Sequence, residues 1–278
     1  VAEPFFEYPI RSDKLSTRVG VRAVIHESQT EFQQITILDT EVFGRMLLLD
    51  GHIQLTEFDE RAYHEALVQI PLLNVPRPRR ALVVGGGDGG VLREICRHAS
   101  IEHVDIVEID VGVIDACRTH LPNLSNGAFG DPRVDLHIGD AFAFVQADRE
   151  PYDLIVVDCT DVYEDEEGGL SEMLFTEGFY QDCRRLLSSD GFLVSQADNL
   201  VFCPYSLEAI RNAFGSVFPG VGSYQALVPS FGGFSGYCWA SQGPDVATTW
   251  STVPNPAAFE LRYLNAATYA LAFHELRF

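Results

Sequence analysis

The sequence predicts an α/β protein, a doubly wound Rossmann-like sheet preceded by a small N-terminal β domain. Three observations carry this prediction. A glycine loop, Gly85-Gly86-Gly87-Asp88-Gly89-Gly90, follows a buried-type strand at 81–84 and opens a helical pattern at 91–98. Beyond the loop, apolar runs of strand length alternate with helical stretches. Before it, residues 1 to about 75 hold short apolar or alternating runs separated by turn residues.

In chain order, the first strands are expected at 19–26, 33–40, 43–49 and 52–56, with turns at Gly44 and at the hairpin pair Asp50-Gly51. Asp59-Glu60 then opens a helix whose apolar positions are Ala66, Leu67 and Ile70. Pro76 and Pro78 break the pattern, which places the domain boundary between 75 and 76, giving a β domain at 1–75 and a catalytic domain at 76–278. Further strands are expected at 104–109, 134–138, 154–157 and 192–195, with a helix at 113–120. Residues 221–241 read as two strands joined through Pro229 to Gly233. A hairpin at that edge suits a methyltransferase-like sheet better than a dinucleotide-binding one. The acidic run 164–169 reads as a loop.

The composition, 46% apolar and 21% charged, is that of a soluble globular protein, and no apolar run approaches a membrane span. The start has no signal-peptide pattern. Forty acidic residues against 19 basic ones give a net charge of −21. Such a field repels nucleic acid and anionic membrane and attracts cations, although solubility alone accounts for it equally well. Six cysteines without C-x-x-C pairs or zinc-ligand spacing predict reduced thiols in a cytoplasmic protein and no metal site.

The loop satisfies G-x-G-x-x-G through Gly85, Gly87 and Gly90, a pattern that NAD enzymes share. Glu108 ends the next strand about 20 residues on, where a carboxylate accepts bonds from ribose hydroxyls. Asp88 lies inside the loop, where it would repel a pyrophosphate but welcome an ammonium. The loop therefore fits a nucleoside with a cationic tail. Asp140-Ala141, after the third strand, could hold an adenine amino group or simply start a helix. Asp158 and Asp161 follow the buried strand 154–157 at the mouth of the crevice. Either they accept a proton from one amine and bind another, or they are turn and capping residues. Tyr63 and His64 are adjacent on one helix, point about 100° apart, and each taken alone is a half-buried structural residue.

Together these motifs resemble the polyamine aminopropyltransferases, the spermidine synthase family. GGGDGGVLR at 85–93 is close to that family's glycine motif, and Glu108-Ile109-Asp110, Gly139-Asp140 and Asp158-x-x-Asp161 follow in family order. The resemblance spans about residues 15–240. It implies aminopropyl transfer from decarboxylated S-adenosylmethionine, a co-substrate, with no cofactor or metal, by a homodimer or homotetramer. It assigns Asp158 as the base, and Tyr63, His64, Gln54, Asp161 and Phe231 to the amine acceptor. It assigns Gln33, Asp88, Glu108, Asp140, Ala141, Gly85 and Gly87 to the donor. The sequence departs from the family at Val162, which stands where a proline is usual, in an acidic insertion at 163–167, and at Phe231, which stands where spermidine synthases often carry tyrosine. The expected acceptor is putrescine, with spermidine as the alternative. An NAD-dependent oxidoreductase and a methyltransferase are remoter readings of the same loop.

Overall fold

The structure, a computed structural model, describes residues 5–10, 12–159 and 176–276. Asp161 and the acidic insertion at 163–167 lie outside the described residues. The N-terminal sheet is an antiparallel meander of β1 (Phe5–Ile10), β2 (Ser12–Gln29), β3 (Gln34–Thr40), β4 (Gly44–Leu49) and β5 (His52–Thr56), paired in that order. Asp50 and Gly51 both take positive φ (48° and 80°) between the paired Leu49 and His52. This is the primed two-residue turn that an Asp-Gly pair predicts. Two parts of this sheet were not expected from the sequence: β1, and the seven residues by which β2 extends ahead of residue 19. Residues 14–16 of that extension are exposed, so no buried face marks it in the sequence.

The helices are α1 (Glu60–Leu72), α2 (Gly90–Cys96), α3 (Val111–His120), α4 (Pro122–Ser125), α5 (Ala141–Gln146), α6 (Glu177–Leu186), α7 (Pro204–Val217) and α8 (Ala266–Ala272). The second sheet comprises β6 (Arg80–Gly85), β7 (His103–Glu108), β8 (Val134–Ile138), β9 (Tyr152–Asp158), β10 (Leu187–Asn199), β11 (Gly220–Val228) and β12 (Gly233–Ser241). Its order is β11-β12-β10-β9-β6-β7-β8. β12 pairs antiparallel with both β10 and β11, the hairpin edge expected from residues 221–241. β6 lies between β7 and β9, both parallel to it. The chain order reverses at β6, so a crevice opens over the ends of β6 and β9, the topological switch point where open α/β sheets bind ligands.

α1 departs from the expected division at 75/76. Its Ala66, Leu67, Val68 and Ile70 are fully buried in one cluster with Val83 of β6, Val156 of β9 and Tyr224 of β11. By packing, the helix belongs to the large sheet. The prolines at 76 and 78 mark only the turn into β6, and the change of core falls between β5 and α1. The meander docks separately, placing Ile35, Ile37 and Leu47 against Val113 and Cys117 of α3.

The chain beyond β12 wraps back over α1. Glu65, fully buried, accepts the backbone N–H groups of Arg262, Tyr263 and Leu264 at 2.8, 2.8 and 2.9 Å. Asn74 accepts from the Ala247 N–H at 2.8 Å and donates to the Tyr269 hydroxyl at 3.1 Å.

Candidate active site

β6 and β9 end side by side, with Gly85 in register with Asp158. A Cβ at Gly85 would lie 2.3 Å from the Asp158 carbonyl oxygen, and its φ is +79°. The Gly86 N–H donates to that same carbonyl at 3.0 Å. Glycine at 85 therefore sets the approach of the loop to Asp158. Gly87 does the same for Glu108: a Cβ there would stand 2.8 Å from Glu108 Oε2, and the Gly87 N–H donates to that oxygen at 3.0 Å.

α1 lays two side chains across this crevice. The Tyr63 hydroxyl donates to Asp158 Oδ1 at 2.6 Å. His64 Nε2 lies 3.3 Å from Asp88 Oδ1, which also accepts the Gly90 N–H at 2.6 Å. Adjacent helical positions point about 100° apart, yet the two rings converge edge to face at 5.2 Å. Their targets stand on the two neighbouring strand ends, and each ring leans toward its own. Both are more deeply buried than the sequence suggests, 9% exposed for Tyr63 and 1% for His64. One ligating atom each of His64, Asp88 and Asp158 lie within 4.8 Å of one another.

The electrostatics follow from this crowding. Burial, reinforced by the Asp88 charge, raises the Asp158 pKa to about 6 against the opposing pull of His64 and the Tyr63 hydroxyl. Burial disfavours a charged His64, but Asp88 and Glu60 outweigh it and hold its pKa at about 10. Burial likewise works against an ionised Asp88, and His64 with the Gly90 N–H overcomes it, so the pKa is lowered. Burial raises Glu108 to about 7, partly offset by the N–H groups of Asp110, Ile109 and Gly87.

The remaining predicted residues fall around this centre. The Gln33 amide donates to Asp110 Oδ2 at 2.9 Å, an oxygen shared with the Thr30 hydroxyl, which places Gln33 beside the Glu108 turn. The Gly139 N–H donates to the Glu108 carbonyl at 2.9 Å, so Asp140 and Ala141 stand next to the same strand end. Asp140 is exposed and caps α5 by accepting the Phe142 N–H at 2.8 Å. Of the two roles left open for it, the capping role is present. The Gln54 amide donates to the His52 carbonyl of its own strand at 3.3 Å. Phe231 presents its ring edge-on to Tyr63 at 5.8 Å, on a turn fixed by Ser230, whose hydroxyl donates to Asp59 at 2.9 Å.

Two participants received no role from the sequence. Glu60 Oε2 accepts from His64 Nδ1 at 2.7 Å, and Arg93 bridges both Glu60 oxygens at 3.3 and 2.8 Å. The four-residue spacing of Glu60 and His64 on one helix was the available signal. Arg93 was visible only as the last letter of the glycine motif.

The switch-point crevice, with one carboxylate at the end of β7 and two more beside it, stands where open α/β sheets bind their ligands, the frame of a group transferase. The family model for the spermine/spermidine synthase domain matches residues 60–249, and that for the spermidine synthase tetramerisation domain matches residues 5–57. The chain is 40% identical over 262 residues to a polyamine aminopropyltransferase of Erwinia tasmaniensis, covering 91% of this chain and 89% of that one. It is 42% identical over 228 residues to one of Pectobacterium carotovorum, covering 81% and 77%. A spermidine synthase in complex with the transition state analogue AdoDATO superposes with a TM-score of 0.91 at 29% identity, covering 99% of this chain and 93% of that one. Spermidine synthase from Thermotoga maritima gives 0.87 at 28% identity, covering 99% and 92%. The chain belongs to the polyamine aminopropyltransferase family, and it transfers an aminopropyl group to a polyamine acceptor.

Proposed function

We propose that the donor is decarboxylated S-adenosylmethionine, the preferred acceptor is putrescine, and Asp158 is the base. One observation carries the reading: Asp158, held by Tyr63 at 2.6 Å, ends the strand beside the glycine loop with a pKa of about 6. A carboxylate of that pKa is ionised at neutral pH and can still accept a proton. The acceptor nitrogen gives its lone pair to the aminopropyl carbon next to sulfur. The carbon–sulfur bond breaks with its electron pair going to sulfur, and methylthioadenosine leaves neutral. The proton lost by nitrogen passes to Asp158. No acid is needed for such a leaving group.

In this reading Asp88 faces the aminopropyl amine of the donor, Glu108 and Gln33 the ribose, and Asp140 with the Ala141 amide the adenine. Gly85 and Gly87 let the nucleoside approach the loop. Tyr63, His64, Gln54 and Phe231 line the acceptor path, and Asp161 binds the acceptor's second amine. A solved relative carrying AdoDATO supports the donor assignment. The match of residues 5–57 to a tetramerisation domain supports a homo-oligomer, dimer or tetramer. No described helix is long and apolar enough to cross a membrane. Six cysteines without C-x-x-C pairs, four of them buried, fit a reducing cytoplasm.

Phe231 favours a second reading. It puts an apolar ring beside Tyr63 where a hydroxyl could have bound the far amine of a short diamine, so a longer acceptor such as spermidine is the alternative. Product analysis by mass spectrometry, with the donor and each amine separately, decides between them. Spermidine formed from putrescine supports the first, and a tetraamine formed only from spermidine supports the second. Absence of methylthioadenosine with every amine overturns both.

A further inference from the structure

We infer that Glu60, locked by Arg93, is a positioning residue of this reaction: it fixes His64 as a doubly protonated imidazolium with its second N–H aimed at Asp88, beside Asp158. The inference rests on the reading of Asp158 as the base.

With both facing carboxylates ionised, the geometry calls for two protons on the ring. Nδ1 faces Glu60 Oε2 at 2.7 Å and Nε2 faces Asp88 Oδ1 at 3.3 Å. A neutral imidazole has one N–H and one lone pair, so either tautomer would turn its lone pair onto a carboxylate oxygen. Neither carboxylate is free to turn away. Arg93 bridges both Glu60 oxygens, and Arg61 Nε lies 3.0 Å from Oε1. Asp88 Oδ1 is held by the Gly90 N–H. Arg93 is itself fixed, donating to the Leu124 carbonyl at 2.5 Å and to Glu94 at 2.9 Å. The ring packs close over Gly90, where a Cβ would fall 2.2 to 2.5 Å from three of its atoms.

The charged and titratable groups around His64 are Glu60 and Arg61 on its own helix, Asp88 on the loop, Arg93 and Glu94 on α2, Asp158 at the end of β9, and the Tyr63 hydroxyl. Its pKa of about 10 agrees with the geometry, the two carboxylates outweighing the cost of burial.

A fixed cation at this point has a chemical use. It keeps Asp88 ionised in the empty crevice and opposes the rise of the Asp158 pKa. It also disfavours the ammonium form of a nearby acceptor nitrogen, and only the free amine has the lone pair that attacks. Glu60, one helical turn before His64 and in contact with its Nδ1, acts through that ring.

The test is histidine-selective NMR titration of the full chain, assigning His64 by its loss in His64→Gln, for wild type and for Glu60→Gln. The glutamine keeps the shape and one acceptor oxygen but removes the charge. The expected wild-type His64 stays protonated beyond pH 9. In Glu60→Gln the midpoint falls by about one pH unit or more. In the same variant, kcat falls about tenfold or more at pH 8, a loss equivalent to one misplaced charge-assisted contact, and its alkaline limb moves down with the NMR midpoint. A structural role alone would lower activity without moving that limb. A wild-type His64 that titrates near 6.5, equal midpoints in the two proteins, or a pH-independent loss of kcat would each overturn the inference. Should Glu60→Gln not fold, the wild-type titration still decides the protonation claim, and Glu60→Asp, expected to retain most of the high midpoint, replaces it. Loss of the aminopropyltransferase reading would show as absent methylthioadenosine in wild type and would leave the titration unchanged.

Discussion

Replacing Tyr63 with phenylalanine removes one hydroxyl from the crevice and leaves the ring that packs on Phe231 and Tyr237. The lost bond is the 2.6 Å contact to Asp158 Oδ1, a hydrogen bond to an ionised acceptor in a buried setting. Such a bond contributes about 1.5–3 kcal/mol to the charged form. At 1.36 kcal/mol per tenfold change in proton affinity, that is about one to two pH units. Because the hydroxyl lowers the Asp158 pKa, its removal raises it. With Asp158 as the proposed base, the carboxylate is the active form, so activity is lost as pH falls through its pKa, which is about 6 in the wild type. The acid limb of kcat/KM should therefore move from about 6 to about 7–8. At pH 7 the ionised fraction drops from about 90% to between about 50% and 10%, a two- to tenfold loss, while above pH 9 most of the rate returns. The assay is methylthioadenosine release from pH 5 to 10 at subsaturating acceptor. An acid limb that stays in place, or a loss of equal size at every pH, would refute the claim that Tyr63 tunes Asp158.

Three further outcomes are expected. Asp158→Asn should lower turnover by about 10² to 10⁴, the range for a missing general base, while calorimetry still detects donor binding. Gly90→Ala should displace His64, because its Cβ would lie 2.2 Å from the ring; kcat should fall at least tenfold, about 1.4 kcal/mol, and the His64 resonance should shift. Glu65→Ala should leave three N–H groups without their carboxylate, that of Leu264 buried, and cost about 1–3 kcal/mol, read as a lower urea midpoint.

The sequence carried the large sheet well because its signals are local. The glycine loop marks the end of β6, buried β-branched runs mark the strands, and Asp-Gly marks one hairpin. The end of β9 and the carboxylates at 88, 108 and 158 were legible for the same reason, since each lies at a strand end. What could not be read was convergence. Tyr63 and Asp158 are 95 residues apart, and nothing in either neighbourhood says that the hydroxyl meets the carboxylate. The domain edge at 75/76 followed prolines, whereas the core followed the buried face of α1, which an apolar pattern alone does not assign to a partner. Glu60 reads in the sequence as part of the pair that opens a helix and Arg93 only as the last letter of the glycine motif. Their mutual burial, 7% and 4% exposed, emerges only when α1 lies on α2.

The anchoring of Glu65 has a consequence for the order in which the enzyme becomes competent. The carboxylate sits one residue from His64, and the three N–H groups that satisfy it come from residues 197 to 199 positions later in the chain. At about 5–20 residues per second of synthesis, those partners follow about 10–40 s after Glu65 itself. Throughout that interval Glu65 would have Arg97, 3.8 Å from Oε1, but none of its three N–H partners, and the helix bearing both crevice side chains has no completed resting place. The nascent chain can thus assemble the meander and the first parallel strands early, while catalytic competence waits for residues 262–264 to arrive. Biogenesis of the active centre is coupled to the synthesis of that distant segment by one side chain and three amides.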